Sequence, residues 1–177
     1  MIQPQKILLI GTMGSGKTTV AERLARDAGF LYASIDNCRV QYGDGTMAGE
    51  DLAWDHFLAI CENPSPAVLE FSGCGPHADE VRDAICKSEI PVTVIWLVFP
   101  NDTCITRALQ RNKDIPAPFQ WAPLEYAIPA FYDAIEDSWE RSWKREPAFH
   151  AIRQEFSGAM SAEQVYPVIM KICSSPQ

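Results

Sequence analysis

The sequence predicts a single α/β domain, built on a parallel five-stranded sheet with helices on both faces. Its 177 residues fit one domain of ordinary size. Hydrophobic residues make up 47% and charged residues 21% of the chain, a composition that allows a buried core. Short apolar runs alternate with helical patterns along the chain, and this order is typical of βαβ units with right-handed crossovers. We therefore treat residues 1–177 as one domain.

The strands are predicted from five short apolar runs, each of a length that suits a buried strand. After the first run, apolar residues recur at helical spacing over 20–28, and Gly29 follows as a helix stop. Ser161 and Gln164 have the spacing of a capping box, which predicts a last helix after Ser161. The predicted strands are 6–10, 31–35, 67–71, 92–99 and 149–156, and the other predicted helices are 50–61, 76–88, 102–112 and 128–145.

Charge, hydropathy and cysteine spacing limit the classes of partner. The longest apolar run, 92–99, is far shorter than the roughly 20 residues that a membrane-spanning helix needs. The net charge of -8 provides no positive field for a nucleic-acid backbone. The six cysteines show no CxxC pair and no metal-ligand spacing with the three histidines. We expect a cytoplasmic protein with reduced thiols that does not bind membranes and is a monomer or a small homo-oligomer. The charge argues against nucleic acid as a partner.

A glycine-rich loop between the first predicted strand and helix matches the pattern GxxxxGK[ST]. Its glycines permit backbone conformations closed to other residues, so successive N–H groups can converge on a phosphate at a helix N-terminus. Lys17 adds a positive charge toward the β- and γ-phosphates, and the Thr18 hydroxyl is placed to bind magnesium. The loop therefore predicts binding of ATP with Mg²⁺ by Gly11, Thr12, Met13, Gly14, Ser15, Gly16, Lys17, Thr18 and Thr19.

Two arginines follow the apolar run 92–99. Arg107 and Arg111 are four residues apart, so they share one face of the helix predicted there. Here the sequence resembles the adenylate kinase and shikimate kinase group of small-molecule kinases. The resemblance implies a phosphate-loop kinase fold with a lid, in which Arg107 lies against the adenine and Arg111 steadies the transferred phosphoryl group. The alternative is a solvated helix face without a ligand.

Asp36 follows the second predicted strand. The sequence around it resembles the zeta toxin, chloramphenicol phosphotransferase and polynucleotide kinase branches of the same family. The resemblance implies that Asp36 holds an acceptor hydroxyl and takes its proton during transfer. Arg39, one helical turn later, would grip an anionic group of the acceptor. The alternative is that Asp36 is an ordinary helix N-cap, where aspartate is also favoured.

The third predicted strand ends in a glutamate and a glycine-containing turn. Many phosphate-loop enzymes carry a magnesium-ordering aspartate where this chain has Glu70, so the sequence leaves open whether Glu70 or Asp36 orders the metal. Gly73 and Gly75 would let an acceptor approach the backbone, as the glycine turn of shikimate kinases does. The alternative is a tight turn between strand and helix.

The segment 110–123 lies where the resemblance places the lid. It contains three prolines and little periodicity, together with Lys113, Phe119 and Trp121. Lids of this kind close to exclude water from the transferred phosphate. Residues 157–159 lie where the family has a loop behind the adenine. Trp139 and Trp143 are expected in the core or in an interface rather than at a ligand.

Sequence and resemblance together predict a kinase that transfers the γ-phosphoryl group of Mg-ATP to a hydroxyl of a small-molecule acceptor. One alternative acceptor is the 5′-hydroxyl of a polynucleotide, against which the acidic charge balance argues. Another alternative is a non-catalytic protein that closes its lid on ATP and signals through a partner. The departure from aspartate at Glu70 keeps this second alternative open.

Overall fold

A parallel five-stranded sheet forms the centre of the fold. A computed structural model describes residues 2–111, 115–120 and 122–174. All strand pairs are parallel, and the order across the sheet is β2-β3-β1-β4-β5. The α/β fold class and the five parallel strands predicted from the sequence are thereby confirmed. The strands are β1 (Lys6–Ile10), β2 (Leu31–Ser34), β3 (Ala67–Glu70), β4 (Val92–Val98) and β5 (Phe149–Glu155).

Seven α-helices in the described part of the chain cover the two faces of this sheet. None of them is long and apolar enough to cross a bilayer. The first helix ends at Gly29, whose φ of 70° is left-handed, as the sequence predicted for a helix stop. The helices are α1 (Lys17–Ala28), α2 (Ile35–Tyr42), α3 (Met47–Glu62), α4 (Ala78–Lys87), α5 (Asn101–Leu109), α6 (Leu124–Arg141) and α7 (Ala162–Ser174), with a 3-10 turn at Trp143–Arg145.

Two hydrophobic cores lie on opposite faces of the sheet. Side chains alternate along a strand, so Ile7 and Leu9 of β1 enter one core while Leu8 and Ile10 enter the other. The first core packs against α1, α5 and α7, and the second packs against α3, α4 and the C-terminal half of α6. β1 is fully buried because helices cover both of its faces. The second core includes Trp139 and Trp143, as expected from the sequence.

Several element boundaries differ from the sequence prediction. Helix α2 is absent from the helices predicted by apolar spacing, because only three of its eight residues are buried and Val40 on it is 61% exposed. Strand β2 ends at Ser34 rather than at position 35, because Ser34 caps α2. Helix α3 begins at Met47, three residues before the predicted start, because Thr46 accepts a hydrogen bond from the Gly49 N–H at 3.1 Å.

Candidate active site

The predicted site residues lie around the carboxyl ends of the central strands, where open α/β sheets bind their ligands. The loop 11–16 joins β1 to α1 and lies beside the turn 72–75 that follows β3. The Gly11 N–H donates to the Ser72 carbonyl at 3.0 Å, which ties the two loops together. Helix α5 packs against the other side of the first loop, since a Cβ on Gly14 would lie 2.1 Å from the Cys104 carbonyl oxygen. The loop is thus held on two sides.

The backbone of this loop has the conformation that a phosphate cradle requires. Gly14 and Gly16 have φ of 76° and 84°, which side chains other than glycine rarely adopt. Gly16 is the N-cap of α1 and has no side chain to accept from the first N–H groups of that helix. A helix N-terminus with uncapped N–H groups attracts an anion. The Ser15 hydroxyl, buried and without a partner among the described residues, lies in the same loop.

Lys17 is the centre of the charged groups at the site. Its Nζ donates to the Thr12 carbonyl at 2.8 Å. Burial lowers the pKa of the Lys17 ammonium, and the Glu70 and Asp36 carboxylates oppose this shift. The Arg111 guanidinium lowers the same pKa. Charged groups from α2, β3 and the segment after α5 therefore lie within electrostatic reach of Lys17. The fold thus brings the three predicted catalytic residues, Lys17, Asp36 and Arg111, to the same site.

Glu70 faces the phosphate loop. Its Oε1 accepts a hydrogen bond from the Thr18 hydroxyl at 2.9 Å, and its Oε2 accepts one from the Tyr32 hydroxyl at 2.6 Å. Glu70 is only 6% exposed, and both of its oxygens have a donor. Burial, together with the adjacent Glu70 charge, raises the pKa of Tyr32, so its phenol remains a donor. The side chain of Glu70 therefore reaches the metal-binding hydroxyl predicted at Thr18.

Asp36 lies in the first turn of α2, beside the same loop. The N-cap of this helix is Ser34, whose hydroxyl accepts from the Asn37 N–H at 3.0 Å. The alternative that Asp36 serves as the N-cap is therefore wrong. Its side chain is 41% exposed, and its Oδ1 accepts from Arg39 Nη1 at 3.1 Å. Asp36 is thus held from one side and accessible to a ligand from the other.

Arg39 is buried in a polar network that the sequence prediction missed. Its Nε and Nη2 donate to the two oxygens of Glu50 at 2.8 and 2.5 Å. Glu50 also accepts from Trp54 Nε1 at 2.8 Å, and the Trp54 ring stacks on His77 at 4.3 Å. The predicted role of Arg39, gripping an anionic acceptor, stays a prediction. In the structure its charge is shared between Glu50 and Asp36.

The turn after β3 has two glycines with left-handed φ, 95° at Gly73 and 97° at Gly75. A Cβ on Gly73 would lie 2.7 Å from the Ile10 side chain, and the Gly73 carbonyl accepts from Trp143 Nε1 at 2.7 Å. Packing and turn geometry account for Gly73 without a ligand. At Gly75 an added Cβ would meet no described atom within 4 Å, so there is room beside it. A role of either glycine in acceptor binding stays a prediction.

Arg107 lies at the predicted adenine side of the site. Its guanidinium is 4.6 Å from the centre of the Phe99 ring, and its Nη2 donates to the Met160 carbonyl at 2.7 Å. The same loop packs against α5 at Gly158, where a Cβ would lie 2.3 Å from Thr103 Oγ1. The loop 157–160 and the arginine helix are therefore in contact, as a shared adenine site requires.

The described part of the predicted lid forms neither helix nor strand over 115–120. Within it, the Phe119 ring centre lies 5.7 Å from the Arg39 guanidinium, so the segment reaches the side of the site where Asp36 lies. Lys113 and Trp121 lie outside the described residues. Arg111 lies within the predicted lid and is exposed. Helix α5 ends at Leu109, so the prediction that Arg107 and Arg111 share one helix face is wrong. The lid assignment itself stays a prediction.

The donor set at the loop suits a magnesium ion bound together with phosphates. The described residues contain no group of three or more His, Cys, Asp or Glu side chains that could hold a metal ion alone. Thr18 donates its one hydroxyl proton to Glu70, which leaves the oxygen lone pairs of Thr18 directed elsewhere. Mg²⁺ usually binds through few protein oxygens and keeps phosphates and waters as its other ligands. The residues therefore fit this ion.

Comparisons with known proteins agree with this geometry. A family model described as an AAA domain matches residues 7–117. No curated protein matches the chain in sequence. Shikimate kinase from Acinetobacter baumannii, solved with shikimate, has 18% identity and a TM-score of 0.66, with 96% of this chain and 92% of that chain covered. A gluconokinase from Sinorhizobium meliloti 1021 has 17% identity and a TM-score of 0.60, with coverages of 98% and 93%. Shikimate kinase from Aquifex aeolicus vf5 has 16% identity and a TM-score of 0.55, with coverages of 94% and 95%. At these identities the likeness concerns the fold.

Proposed function

The chain belongs to the AAA domain family, and on this premise we propose that it is a kinase that transfers the γ-phosphoryl group of Mg-ATP to a hydroxyl of a small-molecule acceptor. The observation that carries the proposal is the position of Asp36. The Asp36 carboxylate is accessible and lies within electrostatic reach of Lys17, the residue that follows the loop expected to hold the phosphates. A protein that only binds nucleotide has no need for a base at this position.

The phosphate loop would hold the nucleotide through backbone N–H groups and one charge. The glycine conformations aim the N–H groups at the start of α1 toward an anion, and Lys17 would leave the Thr12 carbonyl to contact the β- and γ-phosphates. Magnesium, held by the Thr18 hydroxyl and the phosphates, would neutralise the charge that develops during transfer. We assign Glu70 rather than Asp36 to order this metal site, because Glu70 is the carboxylate that contacts Thr18.

Asp36 would receive the proton of the acceptor hydroxyl. Arg39 orients the Asp36 carboxylate through Nη1, while Glu50 binds the rest of the guanidinium and balances its charge. Arg39 is then a positioning residue and, as a further expectation, a contact of the acceptor. Gly75 borders open space on this side and is the better candidate of the two turn glycines for acceptor binding.

Arg107, Arg111 and the lid complete the proposed site. Arg107 would lie against the adenine, supported by Phe99 and the loop 157–160. Arg111 would steady the phosphoryl group as the lid at 110–123 closes and excludes water. The Phe119 contact with Arg39 supports a lid that reaches the acceptor side. We further propose a cytoplasmic location, which the six free cysteines support.

The test is Asp36→Asn, which keeps the size of the side chain and removes its charge. Transfer from γ-labelled ATP is measured to a panel of sugars, polyols and cyclitols. Shikimate, gluconate and simple sugars come first, since the similar solved structures are named for such kinases. We expect acceptor-dependent transfer to fall roughly 10²-fold or more, with ATP affinity nearly unchanged. Asp55→Asn, at an exposed position of α3, is the matched control.

Two results would contradict the proposal. Full acceptor-dependent activity in Asp36→Asn would show that this carboxylate is not the base. No transfer to any acceptor by the wild-type protein, together with tight ATP binding, would favour the non-catalytic ATP-gated alternative. That alternative rested on the departure from aspartate at Glu70, and the contact between Glu70 and Thr18 weakens it.

A further inference from the structure

Hydrogen bonds from two hydroxyl groups to one carboxylate link β2, β3 and the end of the phosphate loop. The Tyr32 hydroxyl donates to Glu70 Oε2 at 2.6 Å, and the Thr18 hydroxyl donates to Glu70 Oε1 at 2.9 Å. Ser34 of β2 is the register partner of Glu70, and Tyr32 precedes it by two residues on the same face of the sheet. A long aromatic side chain at such a diagonal position can reach its neighbour. The sheet register therefore brings the phenol to the carboxylate.

The direction of these two hydrogen bonds indicates what the three groups do together. An ionised carboxylate only accepts hydrogen bonds, so both hydroxyl protons point toward Glu70. The lone pairs of the Thr18 oxygen are then free for a cation on the phosphate side. We propose that Tyr32 is a positioning residue for the magnesium site, which holds Glu70 in the orientation that fixes the Thr18 hydroxyl. The inference rests on the proposed function insofar as a magnesium nucleotide is the ligand.

The length of glutamate explains why a second donor is useful. Glu70 has one more methylene and one more rotatable bond than the aspartate usual at this position, so ordering its carboxylate costs more side-chain entropy. Thr18 contacts only one of the two Glu70 carboxylate oxygens. Tyr32 contacts the other and restrains the last torsion of the side chain. Groups that orient a metal ligand in this way typically contribute about 10- to 100-fold to metal affinity when they contact the ligand directly.

The test compares ADP binding with and without magnesium, by calorimetry in Mg²⁺ and in EDTA. Tyr32→Phe keeps the ring and removes only the hydroxyl. We expect its ADP affinity in EDTA to stay within about twofold of wild type. The increase in affinity on adding Mg²⁺ should be smaller by about 3- to 10-fold, less than for a direct contact because Tyr32 acts through Glu70.

A matched control is available in the same chain. The Tyr166 hydroxyl also donates to a carboxylate, Asp27 Oδ2 at 2.7 Å, toward the far end of α1. Tyr166→Phe removes the same kind of hydrogen bond and should leave the magnesium effect unchanged. Comparing the two variants separates a loss of positioning from a general loss of stability.

A double-mutant cycle of Tyr32→Phe and Glu70→Gln tests whether Tyr32 acts through Glu70. Glu70→Gln should reduce the magnesium effect by about 10- to 100-fold, and adding Tyr32→Phe to it should cause no further loss, because Tyr32 acts only through Glu70. A magnesium effect in Tyr32→Phe equal to that in Tyr166→Phe would overturn the inference, as would additive effects of the two substitutions or a wild-type protein without magnesium dependence. The binding test uses ADP and Mg²⁺ without an acceptor. A negative result for Asp36→Asn would therefore not change its outcome.

Discussion

Replacing Glu50 with glutamine removes the charge that balances Arg39 and keeps the length of the side chain. The ion pair is buried, with the two side chains 9% and 8% exposed. Glu50 accepts three hydrogen bonds, two from Arg39 and one from Trp54. A glutamine can accept at one oxygen only, and its amide protons would face the donors of Arg39 or Trp54. The substitution therefore leaves a buried guanidinium without its main partner.

The expected loss of stability follows from this burial. Breaking a buried ion pair by removing one partner typically costs about 3–5 kcal/mol. Asp36 remains bound to Arg39 Nη1 at 3.1 Å and offsets part of the unpaired charge, although it is 41% exposed. We expect a destabilisation of about 2–3 kcal/mol, which for a domain of this size lowers the midpoint of thermal unfolding by about 5–10 °C.

The pH dependence gives a second signature. Burial raises the pKa of Glu50, but the hydrogen bonds and charge of Arg39 outweigh this and the pKa is lowered from its ordinary 4.5. Because the folded pKa lies below the unfolded one, the stabilisation is fully present above about pH 4.5 and is lost as the pH falls through the folded value. The difference between wild type and Glu50→Gln should therefore be constant near neutral pH and shrink below about pH 4.5.

Urea unfolding followed by tryptophan fluorescence measures the change, with circular dichroism as a second probe of the same transition. Asp137→Asn is the control, because Asp137 pairs with Arg141 at 2.6 Å but both side chains are more than 60% exposed. Such a pair contributes less than about 1 kcal/mol. If Glu50→Gln costs no more than Asp137→Asn, the pair does not stabilise α2 against α3, and the view of Arg39 as a residue fixed by Glu50 is wrong.

Two further predictions concern the nucleotide. Lys17→Ala should lower phosphoryl transfer or ATP hydrolysis roughly 10²- to 10³-fold with an unchanged circular dichroism spectrum, and turnover within about twofold of wild type would refute the phosphate-loop assignment. Arg107→Ala should weaken ATP binding about 3- to 10-fold in calorimetry, whereas Arg111→Ala should lower turnover more than affinity, because only the second is expected to meet charge that develops during transfer. Wild-type behaviour of both arginine variants would identify them as solvated residues.

The parts of the structure that the sequence predicted well depend on local signals. The bounds of β1 agree with the prediction at both ends, because a continuous apolar run meets a glycine loop there. The phosphate loop needs glycines at left-handed positions, and Gly14 and Gly16 have them. Gly29 marks the end of α1 for the same reason. Such features are fixed by a few neighbouring residues and therefore appear in the pattern of a single sequence.

Helix α2 lacks the apolar spacing that predicts a helix, because its surface is mostly polar or exposed. The capping residues did carry a signal. Serine and threonine are favoured at N-caps, and Ser34 and Thr46 are the N-caps of α2 and α3 in the structure. The cap at Ser34 indicates a helix that begins at position 35, with a cap other than Asp36.

The contacts that organise the site join residues that are distant in the sequence. Tyr32 and Glu70 are 38 residues apart, and they meet because β2 and β3 are neighbours in register. Arg39 and Glu50 are separated by 11 residues and meet because α2 and α3 pack together. The sequence shows each polar side chain but not the residue with which it forms a hydrogen bond or ion pair. Partners of this kind depend on strand order and helix packing, which no short motif encodes.

These partners support different proposed roles for the two carboxylates, Glu70 and Asp36, that the sequence left open. A base must be able to take a proton from a ligand, so it needs an oxygen that solvent or substrate can reach, whereas a carboxylate that orients a metal ligand must be rigid. Glu70 is 6% exposed and both of its oxygens already have hydroxyl donors, which suits the second task and hinders the first. Asp36 is 41% exposed and is contacted by Arg39 through one oxygen, which suits the first. The two substitutions should therefore have separable effects, with Asp36→Asn acting on acceptor-dependent transfer and Glu70→Gln acting on the magnesium dependence of nucleotide binding.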